Sequence, residues 1–196
     1  MLIENDFRLA APLDDVWEFL QDVPALAPCL PGAELTGEQP DGSFTGGVKV
    51  SMGPVSLRFT GVAEIRTSDA STHTMVLHAA GSEARGRGTA EMSVTATLAP
   101  AGAGATSMHV VQDLQISGAA AQYGRGMISD VTSVLLGAFT DCIAANAEAR
   151  SRGGTVVVTR AAPASGFRIA LSAAVMALKR VARRFFGPST RPVQPL

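Results

Sequence analysis

Acidic side chains stop before the last quarter of this 196-residue chain. Residues 150–196 hold 9 Lys/Arg and no Asp or Glu, while residues 1–149 hold 7 Lys/Arg against 17 Asp/Glu. The net charge of −1 therefore conceals a body of −10 and a tail of +9. A division of that size predicts two parts with different partners. Cysteine is nearly missing as well. Cys29 and Cys142 lie far apart in sequence, which argues against a disulfide framework and against paired metal-ligand spacing. In its proline-flanked loop Cys29 is expected to be structural rather than a reactive thiol. The start, "MLIENDFRLAAP", lacks the basic-then-apolar run of a signal peptide, so a cytoplasmic location is expected. The tail has no long apolar run either. Its longest uncharged stretch, Ile169–Leu178, is ten residues, and a bilayer span needs roughly 20.

What is present fits one ordinary domain with an appendage. Composition is that of a soluble globular protein, 46% hydrophobic and 17% charged. "MLIENDFRLAA" predicts a first strand. Pro12 suits the first turn of a short helix, with Asp14 and Asp15 near its positive end and Val16, Trp17, Phe19 and Leu20 on it. "VPALAPCLPGAE" is punctuated by proline and predicts a short helical turn followed by a loop. Strict alternation follows. Phe44, Gly46, Val48, Val50 and Met52 share one face, and Thr45, Lys49 and Ser51 the other. Gly53–Pro54 makes a turn. The same period runs through Val55, Leu57, Phe59, Ala63 and Ile65, then "THTMVLHA", then Ala90–Leu98 and Met108–Ile116. Period-two patterning with turns every 10–15 residues predicts an antiparallel meander of five or six strands with one dry face.

Near Ala119 the period changes to about 3.6 residues. Met127, Val131, Val134, Leu135, Ala138 and Cys142 fall on one side of a helix expected to end near Arg150. The predicted fold class is α+β, a curved antiparallel sheet gripping a long C-terminal helix. The expected organisation is a domain over 1–150, a flexible linker over 151–165, a basic amphipathic helix over 166–187 and a disordered end over 188–196.

Four stretches carry a family likeness: "CLPGAE" (29–34), "GGVKVSMGPVSLRFTGVA" (46–63), "ARGRGTA" (84–90) and "AAQYGRGMISDV" (120–131). With the layout, they resemble the START/Bet v 1-like (SRPBCC) helix-grip superfamily, and within it the carbon monoxide dehydrogenase G-subunit (CoxG) family, over about residues 1–148. The resemblance implies a non-catalytic accessory protein of an aerobic, molybdenum-containing carbon monoxide dehydrogenase, a family linked to attaching that enzyme to the membrane. It also implies an apolar ligand between helix and sheet. Because the enzyme's electrons must reach respiratory quinone, an isoprenoid quinone, menaquinone or ubiquinone, is the expected ligand. No covalent cofactor and no metal are expected.

The expected lining is Trp17, Leu30, Met52, Phe59, Met92, Gln112, Leu114, Tyr123, Met127, Val131 and Leu135. Methionine suits an adaptable apolar site, though it equally fills gaps in a solid core. Gly46, Gly61, Gly86 and Gly88, read as strand glycines, leave room or permit sharp curvature. Tyr123, the only tyrosine, offers a hydroxyl to a ligand carbonyl or sits on a rim satisfied by backbone. Gln112 falls between Val110 and Leu114 on the dry face, where a buried amide needs partners: a quinone oxygen, a neighbouring strand or water. The glycines of "QYGRGMISD" lack the GxxxxGK[ST] pattern, so nucleotide binding is rejected. His73, His78 and His109 are expected on strands without metal spacing, and no catalytic residue is expected because no Ser/His/Asp or Cys/His motif is visible.

The tail predicts a membrane surface. At 100° per residue, Phe167, Leu171, Ala174, Leu178, Val181 and Phe185 lie within about ±40° of one line. Arg168, Lys179, Arg180, Arg183 and Arg184 lie off that stripe, and Phe186 adds a second terminal ring. A narrow apolar stripe with a basic opposite face describes a helix lying on an anionic membrane; the alternative is a helix docked on its own domain or a partner. Nucleic acid is disfavoured because the body is acidic. The expected location is thus cytoplasmic, peripheral on the inner membrane face. The competing functions are a ligand-free adaptor recruiting the dehydrogenase, a lipid-binding protein of another pathway and an enzyme acting on a lipid.

Overall fold

A computed structural model describes residues 1–52 and 55–151 of the protein. Strand β1 (Leu2–Leu9) leads into helix α1 (Leu13–Gln21), the short α2 (Val23–Leu26) and a 3-10 turn, Ala27–Cys29. Six strands follow: β2 (Ala33–Glu38), β3 (Phe44–Met52), β4 (Val55–Asp69), β5 (Thr74–Glu83), β6 (Thr89–Pro100) and β7 (Thr106–Ile116). A 3-10 segment, Gly118–Tyr123, then enters the long helix α3 (Gly124–Ser151). The strands form one antiparallel sheet in the order β1-β7-β6-β5-β4-β3-β2. This is the α+β helix-grip architecture that the patterning predicts. The tail helix, the linker and the Gly53–Pro54 turn lie outside the described residues.

Local sequence explains each element. Pro12 immediately precedes α1, whose first turn carries Asp14 and Asp15 and whose buried face is Val16, Trp17, Phe19 and Leu20. The two acids face the positive end of the helix. Asp22 accepts a hydrogen bond from the Ala25 N–H at 3.1 Å and so caps α2. β2 escapes a period-two reading because its "AELTGE" is largely exposed and its pairing with β3 shifts register between Leu35 and Gly37.

The core divides in two. At one end Leu9, Val16, Phe19, Leu98, Met108 and Ile143 are almost fully buried in a large cluster between α1, α3 and the sheet. At the other end a small cluster joins Leu57 of β4 to Val131 of α3. The buried residues of α3 are Val131, Leu136, Thr140, Cys142, Ile143, Asn146 and Ala147; Val131 and Cys142 lie on the expected stripe, whereas Val134, Leu135 and Ala138 are only half-buried. Met127 is 45% exposed, a correction to its expected inward position: packing against the sheet begins one turn later, at Val131.

The two cysteines also correct the sequence reading. Cys29 and Cys142, 113 positions apart, form a disulfide, and neither is a free thiol. The bridge ties the 3-10 turn to the middle of α3. Beside it, the buried Asn146 donates from Nδ2 to the Cys142 carbonyl at 2.8 Å. Sequence distance misled because the sheet returns the chain to its starting side before α3 begins. Removing both sulfurs by Cys29→Ser with Cys142→Ser should lower unfolding free energy by about 2–5 kcal/mol. Denaturant titration without reductant, native against variant, measures it; equal midpoints would show that the bridge adds nothing.

Candidate ligand-binding site

Strand register assigns the inner face. Gly46, Gly61, Gly81 and Ala90 are paired in a row across β3–β6. The next row runs Phe44, Ala63, Ala79, Met92 and Leu114 across β3–β7. The floor beneath α3 is therefore built mostly of glycine and alanine. At Gly61 an added Cβ would fall on the Ala80 carbonyl, and at Gly81 one would lie 2.8 Å from the Thr60 carbonyl. The strands close on each other there, which only residues without a side chain permit.

Around that floor, apolar residues point inward yet stay only half-buried: Phe59, Ala63, Leu77, Ala79, Met92 and Leu114. Leu135 on α3, packed beside the Leu57–Val131 pair, is half-buried too. A filled core would bury them as it buries Leu98 and Met108. Between the two clusters the apolar side chains beneath α3 are thus only half-covered.

Two amides face the same interior. Gln112 is 3% exposed and its Oε1 has no hydrogen-bond partner. Asn5 accepts from the Ser133 hydroxyl of α3 at 3.1 Å, and its Nδ2 is buried without a partner.

Glu83, which sequence reasoning passed over, is a further buried polar group at the end of β5, 5% exposed and paired in register with Phe59. Its carboxylate accepts from Arg87 Nη2 at 2.9 Å, from Arg87 Nε at 3.2 Å and from the Arg85 N–H at 2.9 Å. The stretch "EARGRG" is thus a turn closed by its own first residue. Gly86 and Gly88 belong to this turn, with φ of 70° and 147°, and not to strands as expected.

The predicted lining residues are dispersed by the fold. Phe59, Met92, Leu114 and Gln112 fall on the inner face of the sheet, and Val131 and Leu135 lie on α3, Val131 packed on Leu57. Trp17 lies elsewhere, in the large packed cluster, edge-on to His73 with ring centroids 5.4 Å apart. Leu30 is half-buried and belongs to neither cluster. The side chains of Met52 and Tyr123 lie outside the described residues. His73 is not on a strand but in the β4–β5 turn, at φ 47°. His78 lies on the outer face between Glu64 (3.7 Å) and Glu91 (3.0 Å), and His109 meets Asp6 at 2.8 Å. Among the described residues no group of His, Cys, Asp and Glu gathers as a metal site. An open hollow of about 380 Å³ lies over Thr60, Val62, Ser82 and Thr89 and also touches Gly61, Gly81 and Ala90.

The family model for the carbon monoxide dehydrogenase G-subunit (CoxG) matches residues 6–148. The chain belongs to the CoxG family. No curated protein matches it. Among solved structures, a conserved protein from Geobacillus kaustophilus is 18% identical, with 76% of this chain and 95% of that one covered at a TM-score of 0.67. The Zhui aromatase/cyclase from Streptomyces sp. R1128 is 20% identical, covering 79% and 99%, TM-score 0.56. A START superfamily protein from Mycobacterium smegmatis is 13% identical, covering 75% and 97%, TM-score 0.50. These likenesses establish the START/Bet v 1-like fold. CoxG membership and that fold suggest an accessory protein that binds a hydrophobic ligand, and the family name implies association with carbon monoxide dehydrogenase.

The Glu83 turn yields a pH prediction. Hydrogen bonds from Arg87, outweighing burial, lower its pKa from the ordinary 4.5 to about 2. A depressed carboxylate stabilises the fold above the unfolded value and loses that contribution as pH falls from 4.5 toward about 2. Thermal melts across that window should decline in the native protein, and Glu83→Gln should flatten the Glu83 part of the decline. An unchanged pH profile in the variant would count against this role.

Proposed function

We propose that this protein holds an apolar ligand, an isoprenoid quinone such as menaquinone or ubiquinone, under α3, and serves carbon monoxide dehydrogenase at the inner membrane face. The observation that carries this reading is the ring of inward-pointing but half-buried apolar side chains over a glycine–alanine floor. A shielded site has a physical purpose for such a ligand, since each exposed CH2 costs about 0.8 kcal/mol in water. The acidic body supplies no attraction to an anionic bilayer. The basic tail, read from its sequence, does: each Lys or Arg near such a surface contributes about 1 kcal/mol. The linker of about 15 residues gives a reach on the order of 20 Å if flexible. α3 is itself apolar over Gly126–Ala149, mean hydropathy 1.4. Its disulfide, its hydrogen bond to β1 and its buried face hold it to the domain, so the membrane role is assigned to the tail. A disulfide is unusual in the cytoplasm. Here Cys29 at 0% and Cys142 at 8% exposure leave little room for an attacking thiolate.

The test is mass spectrometry of organic extracts from purified protein, native and Ala79→Trp. Val131 is unsuitable for blocking, because it already packs on Leu57. Ala79 lies on the floor and is only half-buried. Ala79→Trp should abolish the extracted quinone with little change in melting temperature. In a filled core the same change would cost about 1–3 kcal/mol or more by overpacking, and no lipid would be recovered from either form.

The tail gives a separate prediction. Removing residues 152–196 should abolish binding to anionic liposomes while the domain's melt persists. High salt should weaken binding of the full chain only in part, because the apolar stripe is not screened. Retained liposome binding by the truncated form would transfer the membrane role to the body.

A further inference from the structure

Two amides under α3 each keep a buried end without a hydrogen-bond partner. Asn5 on β1 and Gln112 on β7 both face inward. The register pairs Ile3 with Gln112 and Asn5 with Val110, which makes the two amides diagonal neighbours about 7–8 Å apart at the backbone. Ser133 of α3 engages one end of the Asn5 amide and leaves the other end, Nδ2, orphaned. Gln112 is 3% exposed with Oε1 orphaned. Exchanging amide nitrogen and oxygen does not remove the problem, because each amide keeps one end without a partner either way. Buried amide ends are ordinarily paired, and an exception requires a reason. Packing supplies none, since leucine or methionine would fill the same place.

The neighbours indicate what the orphaned ends address. Gln112 pairs with Val94, and Leu114, two residues on, pairs with Met92. Val94, Leu114 and Met92 are half-buried apolar side chains, Val94 packed against the large cluster. One donor and one acceptor are thus buried beside these half-buried apolar side chains, and neither Asn5 nor Gln112 is charged.

We propose that Asn5, Gln112 and Ser133 form a polar anchor for a single neutral oxygen, a hydroxyl or carbonyl on an otherwise apolar ring; this rests on the apolar-ligand reading above. A hydroxyl satisfies both ends together. It donates to Gln112 Oε1 and accepts from Asn5 Nδ2. A carbonyl accepts from Asn5 Nδ2, and from Gln112 as well once that amide turns over. A plain hydrocarbon satisfies neither end. Asn5 and Ser133 positioned on β1 and α3 also tie anchor formation to the docking of the grip helix.

The probes are 1-naphthol and naphthalene, titrated calorimetrically into the full-length protein and into Gln112→Met, which keeps the chain length and removes the amide. Native protein should prefer naphthol by about tenfold, the worth of one good buried hydrogen bond. In Gln112→Met the ratio of naphthol to naphthalene affinity should fall to about one, and the melting temperature should not fall. A measurement without any variant is the infrared carbonyl stretch of bound 2-methyl-1,4-naphthoquinone, which should lie below its position in a hydrocarbon solvent. Equal native affinity for the two naphthalenes, an undiminished preference in Gln112→Met, or an unshifted carbonyl stretch overturns the anchor and leaves the apolar-ligand reading standing. Failure of the native protein to bind any of the three probes overturns both.

Discussion

One helix has to cover a sheet wider than itself. An α-helix with side chains is about 10–12 Å across, whereas seven strands about 4.8 Å apart make a surface several times broader even when curved. α3 meets this constraint by fastening to one side. The Cys29–Cys142 bridge, the cluster around Phe19, Leu98 and Ile143, and the Ser133–Asn5 hydrogen bond hold it against α1, the 3-10 turn and β1. The region over β3–β6 is then roofed only by the edge of the helix. Gly46, Gly61, Gly81 and Ala90 add nothing to fill it. Gly61 and Gly81 let the strands close on each other, and the apolar side chains in the next row stay only half-covered.

Polar groups divide along the same line. On the outer face His78, His109, Arg58 and Arg66 pair with carboxylates in solvent, and such exposed pairs add little stability. Inside, among the described residues, three buried amides keep one unpaired end each, Asn5 Nδ2, Gln112 Oε1 and Asn146 Oδ1. Glu83 closes the β5–β6 turn through Arg87. Asn146 lies against the disulfide. Asn5 and Gln112 lie at the inner face, Gln112 beside the half-buried Val94, Met92 and Leu114. The acidic excess of the body is thus largely a surface property, although Glu83 is buried with Arg87 as its partner.

Much of the fold was legible in the sequence. Strand alternation is enforced by the two-residue period of the pleat, so Leu57, Phe59, Met92, Gln112 and Leu114 fall on the inner face by pattern alone. Helix α1, the proline-rich turn and α3 followed from capping, proline and the 3.6 period. The CoxG likeness rested on stretches that the family match spans. Less was legible at the site. The tilt of α3 decides which of its faces meets the sheet, and that buried Leu136, Thr140 and Ile143 beside the expected Val131 and Cys142 and left Met127 in solvent. Trp17 has the size of a ligand-lining ring, but α1 packs it into the solid end.

By itself the sequence determined the periodicities, the order of elements and the split of charge between an acidic body and a basic tail, because these depend on neighbours along the chain. Only the tertiary structure decided what is joined across it. Cys29 and Cys142, 113 positions apart, close into a bridge because six strands carry the chain out and back. Asn5 and Gln112 become neighbours because the first strand pairs with the last. The difference between a filled core and an open one lies in where a single helix rests on a broad sheet, and no local pattern encodes that position.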